Sequence, residues 1–197
     1  MKKVLLTLAA VIALLPTLAF ADGKQTEIDV NIKTATQFFQ FRPQMDNHNF
    51  HFEYYKNLAD SKWSYGLIYQ LRDGTDLQWH QLIYAFEPYR SGKWMVKGEF
   101  KANWIPSGSV HPGVTDTQLG VHPRLTTHYN FTSSIRANFF VEPRWQGSTY
   151  IGNKSRLTMD YQVTPKDQVS FGFVNYGNAA EELSAEIQYV VMYTRKL

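Results

Sequence analysis

Between Trp94 and Trp104 the chain reads WMVKGEFKANW, with Lys97, Glu99 and Lys101 at every second position. Residues two apart on an extended chain share one face, so three charges line up on one side while Val96, Gly98, Phe100 and Ala102 occupy the other. The same offset recurs in His122 and Arg124, in Glu142 and Arg144, and around Arg136, Arg156 and Arg72. A row of ammonium and guanidinium groups on a low-dielectric wall concentrates anions through its field and performs no covalent step. Catalysis needs a nucleophile or base within hydrogen-bond reach of a partner. The histidines at 48, 51, 80, 111, 122 and 128 form no such local motif, and His111 lies near Ser107, Ser109 and Asp116 only within a loop-like stretch. No metal-ligand spacing occurs either. These residues point to binding or conduction without enzyme activity, and they call for no cofactor.

The elements that carry these residues are strands. Alternation of apolar and polar residues runs through most of the chain and is broken by turn-like clusters, QMDNHN, NLADSK, RDGT, YRSGK, IPSGSVHPGVTD, YNFTSS, QGSTYIGNK, TPKD and YGNAAEE. The breaks predict about ten strands, over 27–42, 48–56, 62–72, 76–89, 93–105, 116–129, 134–146, 154–163, 167–176 and 182–194. Parity changes between Ile32 and Phe39, and again between Trp79 and Leu82, which predicts a bulge in each of those strands. Pro123 fits poorly inside a strand.

The first 21 residues, MKKVLLTLAAVIALLPTLAFA, combine a basic start, an apolar run and a small-x-small site. This is the pattern of a cleaved secretory signal peptide, leaving residues 22–197 as one domain. Lys2 and Lys3 leave with it, so the 20 Lys+Arg against 17 Asp+Glu of the whole chain become nearly balanced. A near-neutral exported chain is no nucleic-acid binder by charge, and without cysteine it has no disulfides.

An exported all-β chain with one apolar face per strand predicts a transmembrane, antiparallel up-and-down barrel of the bacterial outer membrane. Trp94 and Trp104 are ten residues apart, about 33 Å along a strand, or about 25 Å of height at a tilt of about 40°. That matches the apolar band of such barrels. Trp63, Trp79 and Trp145 also fall near strand ends, so all five tryptophans are expected in an interfacial girdle against lipid. With the first strand rising from the periplasm, short turns lie on that side and the longest breaks, Ser107–Asp116 and Gly147–Lys154, lie outside. The inward face carries Arg72, Lys97, Glu99, Lys101, Arg124, Arg136, Glu142, Arg144 and Arg156. Two readings follow: an anion-favouring channel, or a barrel whose charges pair and fill the lumen while its loops meet partners.

The segment HPRLTTHYNFTSSIRANFFVEPRW, His122 to Trp145, resembles the central hairpin of the small monomeric oligogalacturonate-specific porins, the KdgM/NanC-like family. The likeness rests on Pro123 with Leu125 two residues on, the Asn130-Phe131-Thr132 turn, Ile135 opening the return strand, and Glu142-Pro143-Arg144. Phe41-Arg42-Pro43 and Glu87-Pro88-Tyr89 echo the same habit. The resemblance implies a monomeric twelve-stranded barrel that passes acidic oligosaccharides, with Arg124, Arg136 and Arg144 lining its pore. It covers about a quarter of the chain specifically. The predicted strand count is one hairpin short of twelve, and the end YTRKL departs from the usual terminal aromatic.

Overall fold

The computed structural model describes residues 26–43, 50–58, 62–72, 75–105, 119–178 and 186–197. They form eleven strands: β1 (Thr26–Lys33), β2 (Gln37–Pro43), β3 (Phe50–Asn57), β4 (Trp63–Arg72), β5 (Thr75–Ser91), β6 (Trp94–Trp104), β7 (Leu119–Asn130), β8 (Ile135–Gln146), β9 (Thr149–Gln162), β10 (Asp167–Asn178) and β11 (Glu186–Lys196). Each strand pairs antiparallel with its neighbour in sequence, and β1 closes the barrel against β11 in parallel. The closed all-β barrel agrees with the sequence reading. The count is eleven instead of ten, and the sheet is mixed instead of wholly antiparallel.

The extra strand arises at Thr34–Thr36. The Thr34 N–H donates to the Gln37 carbonyl at 2.8 Å, and the Thr34 hydroxyl accepts from the Thr36 and Gln37 N–H groups at 3.3 and 2.9 Å. The chain reverses here, so the predicted strand 27–42 is two strands, and the parity change between Ile32 and Phe39 is a hairpin, not a bulge. Across that hairpin Ile32 faces Phe39 in register.

One additional reversal inverts the start of the chain. β1 runs alongside β11 toward the end where the Leu197 N–H donates to the Lys33 carbonyl at 2.9 Å. The β3–β4, β5–β6, β7–β8 and β9–β10 connections lie at this short-turn end, and the long connection from β6 to β7 lies at the other. The first strand therefore starts at the long-loop end, contrary to expectation. The segment Gly147–Lys154 is no long loop: β9 begins at Thr149, and Gly147 makes the tight turn with φ 57. Its N–H donates to the Leu119 carbonyl at 2.7 Å. The predicted Ser107–Asp116 loop and the predicted signal peptide lie outside the described residues.

Alternation divides the wall into two unlike faces. Trp94, Phe100, Trp104, Leu125, Phe139, Leu157 and Phe173 are exposed on the outside, whereas Glu27, Asp29, Arg42, Lys101, Glu142 and Asp160 are buried within. This inverts the usual distribution of a water-soluble domain. On β5 the register is unbroken from Thr75 to Tyr84, without the bulge expected between Trp79 and Leu82. Trp79 therefore shares the inward face with buried Ile68, and its predicted place in an outward girdle is corrected. The β5 irregularity falls between Phe86 and Tyr89, beyond the Trp63–Tyr84 pair where β4 begins. Among the described residues β5 has no partner on the β4 side from Glu87 to Ser91, and this stretch carries the irregularity, Pro88 and the exposed Glu87–Arg90 pair at 2.5 Å, features that discourage edge pairing.

Pro123 is also explained. The β7–β8 ladder pairs Val121 with Trp145 and Leu125 with Val141, a register that sets Pro123 opposite Pro143. Two residues lacking N–H groups face each other, so one gap in the ladder accommodates both prolines.

Candidate functional site: the lumen-facing ion-pair wall

Eleven strands spaced about 4.8 Å and tilted about 40° give a backbone radius of about 11 Å. Long side chains from neighbouring and facing strands can therefore meet inside. Three tiers of charge result, ordered from the long-loop end to the short-turn end.

Nearest the long-loop end, β1, β2, β9 and β10 build a buried knot. Arg42 Nε lies 2.6 Å from Asp29 Oδ1, and its Nη2 lies 2.9 Å from Glu27 Oε1. Arg156 and the Tyr176 hydroxyl both donate to Glu27, and Arg156 approaches Asp29 at 3.5 Å. On β3, His51 Nε2 sits 2.7 Å from Glu53 Oε1, and the Tyr55 hydroxyl donates to Glu53 Oε2 at 2.8 Å.

The middle tier is built by β6, β7 and β8. Lys101 Nζ and Arg124 Nε donate to the same oxygen, Glu142 Oε2, at 2.7 and 2.6 Å. Glu99 takes Lys97 at 2.8 Å and stands 3.8 Å from both Lys101 and Arg124. Glu99 thus pairs chiefly with one lysine of its own strand, and Lys101 turns to the carboxylate of β8. Phe140 links the upper two tiers, with Arg124 and Arg156 guanidinium carbons 4.4 and 5.6 Å from its ring centre.

Nearest the short turns, Arg136 holds Asp160 at 2.7 Å, and Asn138 bonds to both Asp160 and His128. The structure thus brings Lys97, Glu99, Lys101, Arg124, Arg136, Glu142 and Arg156 to the inward face, each paired. Arg144 is also inward, and among the described residues its buried Nε has no hydrogen-bond partner. The side chain of Arg72 lies outside the described residues. Trp63, Trp94 and Trp104 are exposed on the outer face, and Trp145 packs there against Tyr150, with ring centres 5.5 Å apart and the planes tilted by 55°.

The pairs are unequal in exposure. The Arg124 side chain is 25% exposed against 7% for Glu142, Arg136 36% against 6% for Asp160, and Lys97 42% against 15% for Glu99. In these three pairs the cation presents its open side to the lumen and the carboxylate sits behind it. Lys101 departs from this rule: it is as buried as its partner.

The sequence reading missed Glu27, Asp29 and Arg42 because one continuous strand could not assign parity on both sides of an unseen turn. Lys154, at the boundary of the expected Gly147–Lys154 loop and the expected strand 154–163, lies well inside β9 and faces inward, its ammonium 4.7 Å over the Tyr176 ring. Its even spacing with Arg156 was the available signal. No protein-family model matches the chain, and comparison with curated proteins finds no relative.

Proposed function

We propose that this chain is a bacterial outer-membrane porin through which small anionic solutes, such as acidic oligosaccharides, diffuse passively as the barrel sits monomeric in lipid. The observation that carries this reading is the unequal exposure of the ion pairs along β6 to β9. A solute in the lumen meets Lys97, Arg124 and Arg136 first, and the carboxylates behind them hold these cations in place without facing it. Exchange of part of the solute's hydration for guanidinium and ammonium contacts would lower the cost of entry, and pairing keeps each contact weak enough for release. The apolar exterior, outward Trp63, Trp94, Trp104 and Trp145, and the leader-like first 21 residues support the outer-membrane setting. Resemblance of His122–Trp145 to the oligogalacturonate-specific porins supports the solute class.

The buried Glu27–Asp29–Arg42–Arg156 knot favours a second reading, a barrel too filled to conduct. Recordings in planar bilayers under asymmetric salt separate the two. Discrete openings with an anion-selective reversal potential are expected, whereas membranes that stay silent would remove the channel and leave the filled barrel.

A further inference from the structure

The parallel seam sets Lys33 of β1 directly against Lys196 of β11. Both face inward. Lys33 is in register with Phe38, Phe38 with Tyr55, and the Tyr55 hydroxyl reaches the inward Glu53. Two residues earlier on the same seam, Asn31 donates to Thr194 at 3.2 Å on that inner face. Like charges in direct cross-strand register repel and weaken a sheet. Among the described residues neither lysine has a carboxylate partner, and Lys196 Nζ reaches only the uncharged Gln162 amide oxygen, at 3.4 Å. Both lysines are exposed, at the ends of their strands on the short-turn side. Lys97 and Arg136 of the basic wall add their fields to that of Lys33, and their own carboxylates, Glu99 and Asp160, leave them partly open.

This arrangement weakens the seam that closes the barrel unless an anion occupies it. We propose that Lys33, Lys196, Lys97 and Arg136 form an anion-binding vestibule at the short-turn mouth, selective for solutes that carry two or more carboxylates. A single carboxylate neutralises one member of the lysine pair. A solute with two or three spans the pair and reaches the wall beyond it. The site rests on the porin reading for its role, as the point where a solute leaves or enters the lumen, but its binding can be measured without conduction.

Thermal unfolding of the detergent-solubilised barrel, in citrate and in acetate at matched ionic strength, tests it. Citrate at about ten times its Kd is expected to raise Tm by about 4 °C, and acetate to leave it unchanged. Lys33→Gln combined with Lys196→Gln should abolish the citrate shift. The same double variant should melt above the parent in low salt without citrate, since the repulsion is gone. If that variant does not fold, Lys196→Gln alone carries the same comparison. No citrate shift in the parent, or an equal shift in the variant, overturns the vestibule whether or not the barrel conducts. Silent bilayers together with an intact citrate shift would overturn only the porin reading.

Discussion

The Lys101 ammonium lies 2.7 Å from the Glu142 carboxylate, from strands two apart in the barrel, and both groups are buried. Glu142 also holds Arg124 through the same oxygen. Removing one partner of a buried charge pair leaves the other uncompensated, at a cost of about 3–5 kcal/mol. Glu142→Gln is expected to lose about that much stability in urea unfolding of the barrel refolded into lipid vesicles. Lys101→Met should cost less, because Arg124 continues to hold Glu142.

Exposure, and not charge alone, should decide which cations set selectivity. In the porin proposed above, neutralising Arg124, Arg136 and Arg144 together is expected to move the reversal potential toward cation preference. Lys101→Met should leave it unchanged, since that ammonium is sealed behind its partners. Equal effects from both would show that the lumen opens along a different wall.

Gly98 and Gly172 should differ sharply in tolerance. A Cβ at Gly98 would lie 2.2 Å from the Phe86 ring, a side chain able to swing away on the outer face. A Cβ at Gly172 would lie 1.9 Å from the Leu157 carbonyl oxygen, which is backbone. Gly98→Ala should cost about 1–3 kcal/mol, the ordinary range for overpacking, and Gly172→Ala more. In Phe86→Ala the Gly98→Ala penalty should largely disappear, as read by a double-mutant cycle in urea.

The first hairpin depends on one hydroxyl. Thr34→Val removes the acceptor used by the Thr36 and Gln37 N–H groups and should cost about 1 kcal/mol. Amide exchange at Gln37 should quicken in this variant, whereas Thr34→Asp, which keeps an acceptor at that position, should retain protection.

Much of the wall was legible in the sequence because strand alternation is a local property. From Trp94 to Trp104 the inward charges and outward apolar residues stand where the two-residue period puts them. The same holds from Leu119 to Trp145 and from Arg156 to Tyr161. The failures were also local in cause. Thr34-Ala35-Thr36 turns without glycine, proline, asparagine or aspartate, and missing it concealed the parity of Glu27, Asp29 and Arg42. The β5 irregularity was expected between Trp79 and Leu82 from the change of parity there, and the true one falls between Phe86 and Tyr89, past the last residue paired with β4.

By itself, then, the sequence determined that the chain forms alternating strands with an apolar and a charged face, and which residues of β6 to β8 lie on each. A period of two is written into consecutive residues and needs no distant partner. Only the tertiary structure decided how many strands close the barrel, that the closing pair runs parallel, and which charge meets which. Glu27 finds Arg156 more than a hundred residues away, and Lys33 is set against Lys196. Those pairings follow from strand count, register and closure, each a property of the whole ring.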